Sequence, residues 1–298
     1  MALDTEPHAK TQTQTRVQTI SDPAQDVRLD DGRVLRAHDS AALGVSGDFT
    51  VIWHHGTPQT GALLAPLLQM ANERGIRVIS YGRPGYGGST PLPERTVASA
   101  ANDVRQLADA LGVERFAVIG ASGGGPHALA CAALLPERVI GVVGFASPAP
   151  YPADGIDWFA GMLEDGALRS ALKGWAARER FEETATFNPE IFNARDHATL
   201  ADSWAAMGED AGRAYSEGPD GAIADDLAFV TPWGFAVEQI AAPVLIVHGG
   251  DDRVIPLSHG EWLVDHLPHA ELWLRPRDGH IAILDACPLA MEWLRQYG

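Results

Sequence analysis

The fold of this chain is decided by one short stretch, Phe116-Ala-Val-Ile-Gly120-Ala-Ser122-Gly-Gly124-Gly-Pro126-His127. Its first four residues are apolar strand formers that end at a glycine, and good helix formers follow His127, so a buried strand leads into a helix. The motif Gly120-x-Ser122-x-Gly124 is then a sharp turn that strains its central residue. Glycines are needed on either side because a Cβ atom there would collide with the neighbouring strand and helix. We expect the Ser122 hydroxyl to lie at the carboxyl end of a sheet, beside a helix N-terminus.

Two other interpretations of this stretch are open. A serine in a glycine-rich turn is often purely structural, and Gly123-x-Gly125-x-x-Ala128 fits a variant of the dinucleotide-binding fingerprint. The fingerprint is disfavoured because Pro126 removes one backbone donor and because no strand ending in an acidic residue follows at the expected distance. If Ser122 is a nucleophile, the rest of the chain must supply a base and an acid.

Composition narrows the classes of partner. The chain has 298 residues and a net charge of −17, which argues against nucleic acid or an anionic membrane because phosphate groups are bound by clustered Lys and Arg. Cys131 and Cys287 lie among apolar residues, which indicates reduced core thiols, and no Cys or His spacing fits a zinc site. Residues 1–25 are polar and lack the apolar segment of a signal peptide, so we expect a disordered tail and a cytoplasmic protein without membrane spans.

Strand and helix signals alternate through most of the chain. A hairpin pattern at 27–38 is followed by apolar strand signals at 50–54, 76–80, 116–119, 139–145, 243–248 and 271–274. Helical patterns at 63–74, 96–111 and 128–135 separate the strand signals from 50–54 to 139–145, and a closing helix is predicted over residues 281–297. The pattern predicts an α/β fold with a mostly parallel, eight-stranded sheet and helices on both faces. Ligands of such sheets bind beyond the carboxyl ends of the strands.

One segment interrupts this alternation. Residues 151–233 carry no strand signal and read as acidic, aromatic-rich helices, which predicts a helical cap inserted into a core made of residues 26–150 and 234–298. Most of its aromatic side chains are expected to pack the helices together. Trp158 and Phe159 are our candidates for side chains that face down and line an apolar substrate pocket above Ser122.

Candidate acids and bases follow two later strands. The loop after the strand at 243–248 contains Asp251 and Asp252, and the loop after the strand at 271–274 ends at His280. A serine hydroxyl needs a neighbouring base to take its proton, and that base needs a third group to fix its tautomer. The order serine, acid, histidine, each at the carboxyl end of a different strand, is the order that nucleophile-elbow hydrolases use.

With these motifs the sequence resembles the α/β-hydrolase family from residue 27 to the end. The resemblance rests on His55-Gly56-x-Pro58, Gly120-x-Ser122-x-Gly124, Gly249-x-x-Asp252-x-x-x-Pro256 and Gly279-His280. It implies that Ser122 is the nucleophile, that His280 is the general base and then the acid, and that Asp252 is the partner of His280. Asp251 is the alternative acid, and Asp154 is a remoter one.

The resemblance also implies an oxyanion hole made by the backbone N–H groups of Thr57 and Gly123, with the Thr57 side chain free to tune substrate choice. His55 and Gly56 beside it are candidate substrate-binding residues. One position departs from the family pattern: Tyr81 stands where relatives usually have an aspartate, and this leaves open what holds Arg83.

The expected function is that of a serine hydrolase acting on a carboxylic ester or a related small-molecule acyl substrate, without metal or organic cofactor. Aminopeptidase, lactonase, thioesterase, carbon–carbon hydrolase and cofactor-free haloperoxidase chemistry stay open on the same fold. So does a small-molecule receptor that keeps the fold without turnover. A serine at position 122 disfavours haloalkane dehalogenase and epoxide hydrolase chemistry, for which members of the family use an aspartate at the corresponding position. We expect a monomer or a homodimer.

Overall fold

A computed structural model describes residues 24–298. The predicted N-terminal tail, residues 1–25, therefore lies outside the described residues except for its last two. The first strand already begins at Gln25.

One eight-stranded sheet organises the described chain. In spatial order its strands run β1-β2-β4-β3-β5-β6-β7-β8. β1 pairs antiparallel with β2 and β2 with β4, and every other pair is parallel, which confirms the predicted mostly parallel sheet. The strands are β1 (Gln25–Arg28), β2 (Val34–Asp39), β3 (Phe49–His54), β4 (Ile76–Tyr81), β5 (Phe116–Ala121), β6 (Val139–Phe145), β7 (Val244–Gly249) and β8 (Ala270–Arg275).

Ten α-helices are formed by the described residues. They are α1 (Ala65–Glu73), α2 (Ser99–Ala110), α3 (Gly124–Leu134), α4 (Gly166–Ala171), α5 (Trp175–Glu182), α6 (Ala194–Ala201), α7 (Ala205–Ser216), α8 (Asp220–Phe229), α9 (Leu257–His266) and α10 (Cys287–Leu294). Residues 146–243 hold no strand, and the segment between β6 and β7 contains α4 to α8 together with loops and two 3₁₀ turns. None of the helices that the described residues form has the length and apolar character needed to cross a bilayer.

Two hydrophobic clusters lie on the two faces of the sheet. Along β5, Val118 belongs to the cluster that contains residues of α2, α3 and α9, whereas Ala117 and Ile119 belong to the cluster that contains residues of α1 and α10. Successive strand residues point to opposite faces, so all of β5 is buried between two helical layers. Trp204, the N-cap residue of α7, stacks on Trp53 of β3 and joins the helices between β6 and β7 to this core. Cys131 and Cys287 are buried free thiols within it, as predicted.

The closing helix departs from the prediction. Instead of one helix over residues 281–297, the chain forms a 3₁₀ turn at Ala282–Ala286, then α10, then a second 3₁₀ turn at Arg295–Tyr297. The break follows from Pro288, because a proline lacks the N–H of a helix interior and is tolerated only in the first turn.

The turn from β5 into α3 has the predicted strained geometry. Ser122 is a non-glycine residue with φ of 53°, and its N–H donates to the carbonyl of Phe145 at 2.7 Å. A Cβ atom on Gly120 would overlap the carbonyl of Gly124, and one on Gly124 would overlap the carbonyl of His54 at the end of β3. Both flanking glycines are therefore required by the close approach of β3, β5 and α3.

Replacing Gly124 by alanine should destabilise the fold. The Gly124→Ala methyl would press on the backbone of β3, and overpacking of this kind costs about 1–3 kcal/mol of unfolding free energy. Gly208→Ala is the control, because a Cβ atom there meets nothing within 4 Å and α7 should gain up to about 1 kcal/mol. Denaturant unfolding of both variants measures this difference. A Gly124→Ala protein as stable as the parent would contradict the close packing of α3 against β3.

Candidate active site

Three side chains from separate strand ends meet at the carboxyl edge of the sheet. Ser122 follows β5, Asp252 follows β7 and His280 follows β8. The Ser122 Oγ lies 2.9 Å from His280 Nε2, and His280 Nδ1 lies 2.8 Å from Asp252 Oδ2. His280 and Asp252 are buried, and Ser122 is half-buried at the edge of a cavity. The structure thus brings the three predicted residues into one hydrogen-bonded chain.

Asp252 is held in place by its own loop. Its Oδ1 accepts hydrogen bonds from the N–H groups of Val254 and Ile255, each at 2.9 Å, which leaves Oδ2 facing His280. Asp251 points outward and accepts from Asn193 Nδ2 at 2.9 Å. Asp154 is exposed, and its carbonyl accepts from Trp262 of α9. Of the three candidate acids, Asp252 is the one that hydrogen-bonds His280.

The environment of His280 favours its protonated form. Burial alone disfavours the imidazolium, but the charge and hydrogen bond of Asp252, with a contribution from the charge of Asp196, outweigh it and raise the pKa of His280 above its ordinary value of 6.5. Because Asp252 accepts from Nδ1–H, Nε2 of the neutral ring carries the lone pair that faces the Ser122 hydroxyl. This arrangement can take a proton from Ser122 and stabilise the resulting cation.

Residues at the N-terminal end of α6 bind the loop that contains His280 and, through Asn193, the loop that contains Asp252. Oδ1 of Asp196 accepts from the N–H groups of Ile281 and Ala282 at 2.9 and 2.8 Å, directly after His280. Arg195 pairs with Asp278 at 2.7 Å in the same loop. Sequence reasoning missed Asp196, although Asn193-Ala-Arg-Asp196 is the pattern of a capping box, which the structure contains.

The loop after β3 packs against the turn that carries Ser122. A Cβ atom on Gly56 would lie 3.7 Å from Ser122 Cβ, and one on Gly123 would lie 2.5 Å from Thr57 Oγ1. Thr57 and Gly123 are therefore neighbours beside Ser122. The Thr57 side chain is not free, contrary to expectation: its Oγ1 donates to Asp225 Oδ2 at 2.6 Å and accepts from Arg83 Nη2 at 3.1 Å.

Asp225 of α8 is the residue that holds Arg83, whose partner the sequence left open. The Arg83 guanidinium donates to Oδ1 and Oδ2 of Asp225 at 3.2 and 2.6 Å, Arg95 pairs with Oδ1 at 2.6 Å, and the Tyr86 hydroxyl donates to Oδ2 at 2.9 Å. Burial would raise the pKa of the Asp225 carboxyl, but Arg83 and Arg95 overcome it and hold this pKa well below its ordinary value. We call these four residues and Thr57 the Asp225 network.

A cavity of about 450 Å³ opens beside Ser122. Its floor includes Gly56, Thr57 and His280, and no Lys, Arg, Asp or Glu occurs among the described residues that line it. The segment between β6 and β7 supplies much of its wall, through Phe187, Ile191, Phe192, Leu200, Met207, Gly208, Ala211, Gly212 and Tyr215. The cavity is accordingly an apolar site with few polar groups, as small-molecule sites usually are.

Several predicted lining residues lie elsewhere. Trp158 donates through Nε1 to the carbonyl of Ala149 and packs edge-on against His259, while Phe159 packs under Arg169. Neither lines the cavity, which corrects our choice of cap aromatics: sequence composition does not indicate which face of a helical segment an aromatic residue occupies.

Two histidines near the turn also lie outside the cavity lining. His55 is buried behind its loop, where Nε2 accepts from the N–H of Arg83 at 3.1 Å. His127 is buried within 2.8 Å of the carbonyl of Gly123 and packs edge-on against Phe229. Of the pair His55 and Gly56, only Gly56 lines the cavity. Among the residues that the structure describes, no group of three or more His, Cys, Asp and Glu is placed to hold a metal ion.

Comparisons with known proteins agree with this architecture. A family model described as the alpha/beta hydrolase fold matches residues 50–286. A 2-hydroxy-6-oxononadienedioate/2-hydroxy-6-oxononatrienedioate hydrolase of Paraburkholderia phymatum is 29% identical over 268 residues, 85% of this chain and 88% of that protein. The serine hydrolase BPHL of Homo sapiens is 28% identical over 239 residues, 78% of this chain and 74% of that protein. The structure of a thermophilic esterase from Thermogutta terrifontis superposes with a TM-score of 0.68 at 20% identity, covering 92% of this chain and 98% of that one, which is a likeness of fold.

Removing the Asp252 charge should reverse the pKa shift of His280. In Asp252→Asn burial is opposed only by the smaller effect of the Asp196 charge, so we expect the pKa of His280 to fall below 6.5, whereas in the parent it lies above 6.5. The parent therefore gains stability from His280 below pH 6.5 and loses that contribution as pH rises through the folded pKa, so the variant should lose more unfolding free energy at acidic than at alkaline pH.

The measurement is an NMR titration of the His280 imidazole, paired with denaturant unfolding at one acidic and one alkaline pH. Asp251→Asn is the matched control, because Asp251 contacts Asn193 and not His280. An unchanged His280 pKa in Asp252→Asn would contradict the assigned contact.

Proposed function

The chain belongs to the α/β-hydrolase family, and on that premise we propose that it is a serine hydrolase that cleaves a carboxylic ester, or a closely related uncharged acyl substrate, through an acyl-enzyme. One observation carries the proposal. The hydrogen-bonded chain of Ser122, His280 and Asp252 ends at a half-buried hydroxyl that borders an apolar cavity.

The reaction follows from this geometry. His280 Nε2 takes the proton of Ser122 as Oγ attacks the substrate carbonyl, and the carboxylate of Asp252 stabilises the imidazolium that forms. The N–H groups of Thr57 and Gly123 stabilise the oxyanion, and such a donor is typically worth about 10²–10³ in kcat. His280 then protonates the departing alkoxide. Water attacks the acyl-enzyme with His280 again as base, which releases the acid and restores Ser122.

The cavity favours an uncharged, apolar acyl or alkyl group. A dicarboxylate, as named for the relative from Paraburkholderia phymatum, would need cations, and a peptide amine would need a carboxylate. Neither kind of side chain occurs among the described residues that line the cavity. Burying an unpaired charge there would cost several kcal/mol, so ester or lactone hydrolysis is supported over peptidase chemistry and over carbon–carbon cleavage of a dicarboxylate.

Turnover and labelling should both depend on Ser122. We expect hydrolysis of p-nitrophenyl butyrate, and a fluorophosphonate should modify Ser122 as mapped by peptide mass spectrometry. Ser122→Ala should lower kcat on the order of 10⁴-fold or more and abolish labelling. Ser203→Ala, an exposed serine that contacts Asp285, is the control and should keep both properties.

Two outcomes would overturn the proposal. Labelling at a residue other than Ser122 would remove the nucleophile from the scheme. Ligand-dependent stabilisation of the fold by apolar esters without turnover would instead indicate a small-molecule receptor.

Two glycines of α7 should set the length of the acyl group. Gly208 and Gly212 line the cavity, and a Cβ atom on either meets nothing within 4 Å, so we expect a larger side chain there to extend into the cavity. Gly212→Leu should lower kcat/KM for p-nitrophenyl octanoate about tenfold or more while leaving that for the acetate within about threefold. Glu209→Leu adds the same side chain to α7 at a residue that does not line the cavity and should change neither. An unchanged preference for acyl length in Gly212→Leu would refute this assignment.

A further inference from the structure

The Asp225 network lies behind the loop that follows β3 and contributes only Thr57 to the cavity lining. We propose that Asp225 is a positioning residue: through Arg83 it fixes the Gly56–Thr57 peptide so that the Thr57 N–H stays directed at the developing oxyanion. This inference rests on the proposed function, because it concerns the oxyanion that such a hydrolase forms.

The Arg83 guanidinium forms hydrogen bonds with three consecutive residues of the loop after β3. Arg83 donates to the carbonyl of His55, to the carbonyl of Gly56 at 3.3 Å and to Thr57 Oγ1 at 3.1 Å. The Gly56 carbonyl also lies 2.7 Å from His55 Nδ1. The loop is therefore anchored by its backbone as well as by a side chain.

The peptide group between Gly56 and Thr57 has a fixed geometry. The Gly56 carbonyl and the Thr57 N–H belong to one planar trans peptide, so they point in opposite directions. Anchoring the carbonyl on Arg83 behind the loop therefore turns the N–H away from Arg83. Gly56 and Thr57 both line the cavity, and Gly56 lies beside Ser122, so the opposite side of this peptide faces the site.

The orientation of the Arg83 guanidinium depends on Asp225. Arg83 and Asp225 are almost completely buried, and a buried guanidinium without a counter-charge is strongly destabilised. Both carboxylate oxygens hold Arg83 in a fixed orientation, and Oδ2 also accepts from Thr57 and Tyr86. An asparagine would present an NH₂ group to one of these donor sets, so Asp225→Asn should release the guanidinium and with it the peptide.

The test separates positioning from a purely structural role. In Asp225→Asn we expect kcat for p-nitrophenyl butyrate to fall about 10- to 100-fold with KM within about threefold, since loss of a whole oxyanion donor costs about 10²–10³. Affinity for an alkyl trifluoromethyl ketone, which forms a tetrahedral adduct, should fall in parallel with kcat. Affinity for the methyl ketone of the same chain length, which stays trigonal, should not change.

The matched control is the neighbouring carboxylate. Asp226 is also buried on α8, but it pairs with Arg178 of α5 at 2.6 Å, within the inserted helices. Asp226→Asn should lower thermal stability while keeping kcat and both ketone affinities within about threefold. If Asp225→Asn does not fold, Arg83→Lys decides, because it keeps the charge beside Asp225 but cannot hold the carboxylate and the loop carbonyls together. It should show the same selective loss.

The outcomes distinguish the two proposals. A parent protein without turnover and without labelling of Ser122 would overturn the proposed function, and this inference with it. An active parent whose folded Asp225→Asn or Arg83→Lys variant keeps kcat, or loses affinity for both ketones equally, would overturn the positioning role alone.

Discussion

The structure depends on the absence of a side chain where the turn after β5 meets the end of β3. Gly124 has no room for a Cβ atom against the carbonyl of His54, and the contact draws the loop of residues 55–57 against Ser122. One steric constraint thus accounts for the strained φ of Ser122, the exposure of its hydroxyl and the proximity of the Thr57 backbone. The hydrogen bond between Ser122 and His280 is possible only once this turn is formed.

The helices between β6 and β7 do more than wall a cavity. Three buried carboxylates on them bind loops at the carboxyl edge of the sheet. Asp196 of α6 holds the backbone after His280, Asp210 of α7 accepts from the N–H and hydroxyl of Thr60, and Asp225 of α8 holds Arg83. The segment between β6 and β7 and the strand ends therefore share one hydrogen-bonded framework.

Features that depend on local sequence could be predicted, and those that depend on distant pairing could not. The turn at Ser122 and the strand-end positions of Asp252 and His280 follow from glycine chemistry and from strand–helix alternation, which a single sequence displays. Asp225 could not be found this way, because it lies 142 residues from Arg83 and no local pattern links them. The helix α9 was not predicted, and its interior contains Gly260, a poor helix former. The choice of Trp158 and Phe159 failed because aromatic content does not reveal which face of a segment packs inward.

The capping box of α6 connects a helix that lines the cavity with the loop that carries the His280 imidazole. Asn193 and Asp196 cap the N-terminus of α6, and the same Asp196 carboxylate accepts from the two backbone N–H groups that follow His280. Leu200 of the same helix lines the cavity, so the helix that borders the cavity is also the helix that holds the backbone after His280. The shape of the cavity and the position of the imidazole therefore share one support.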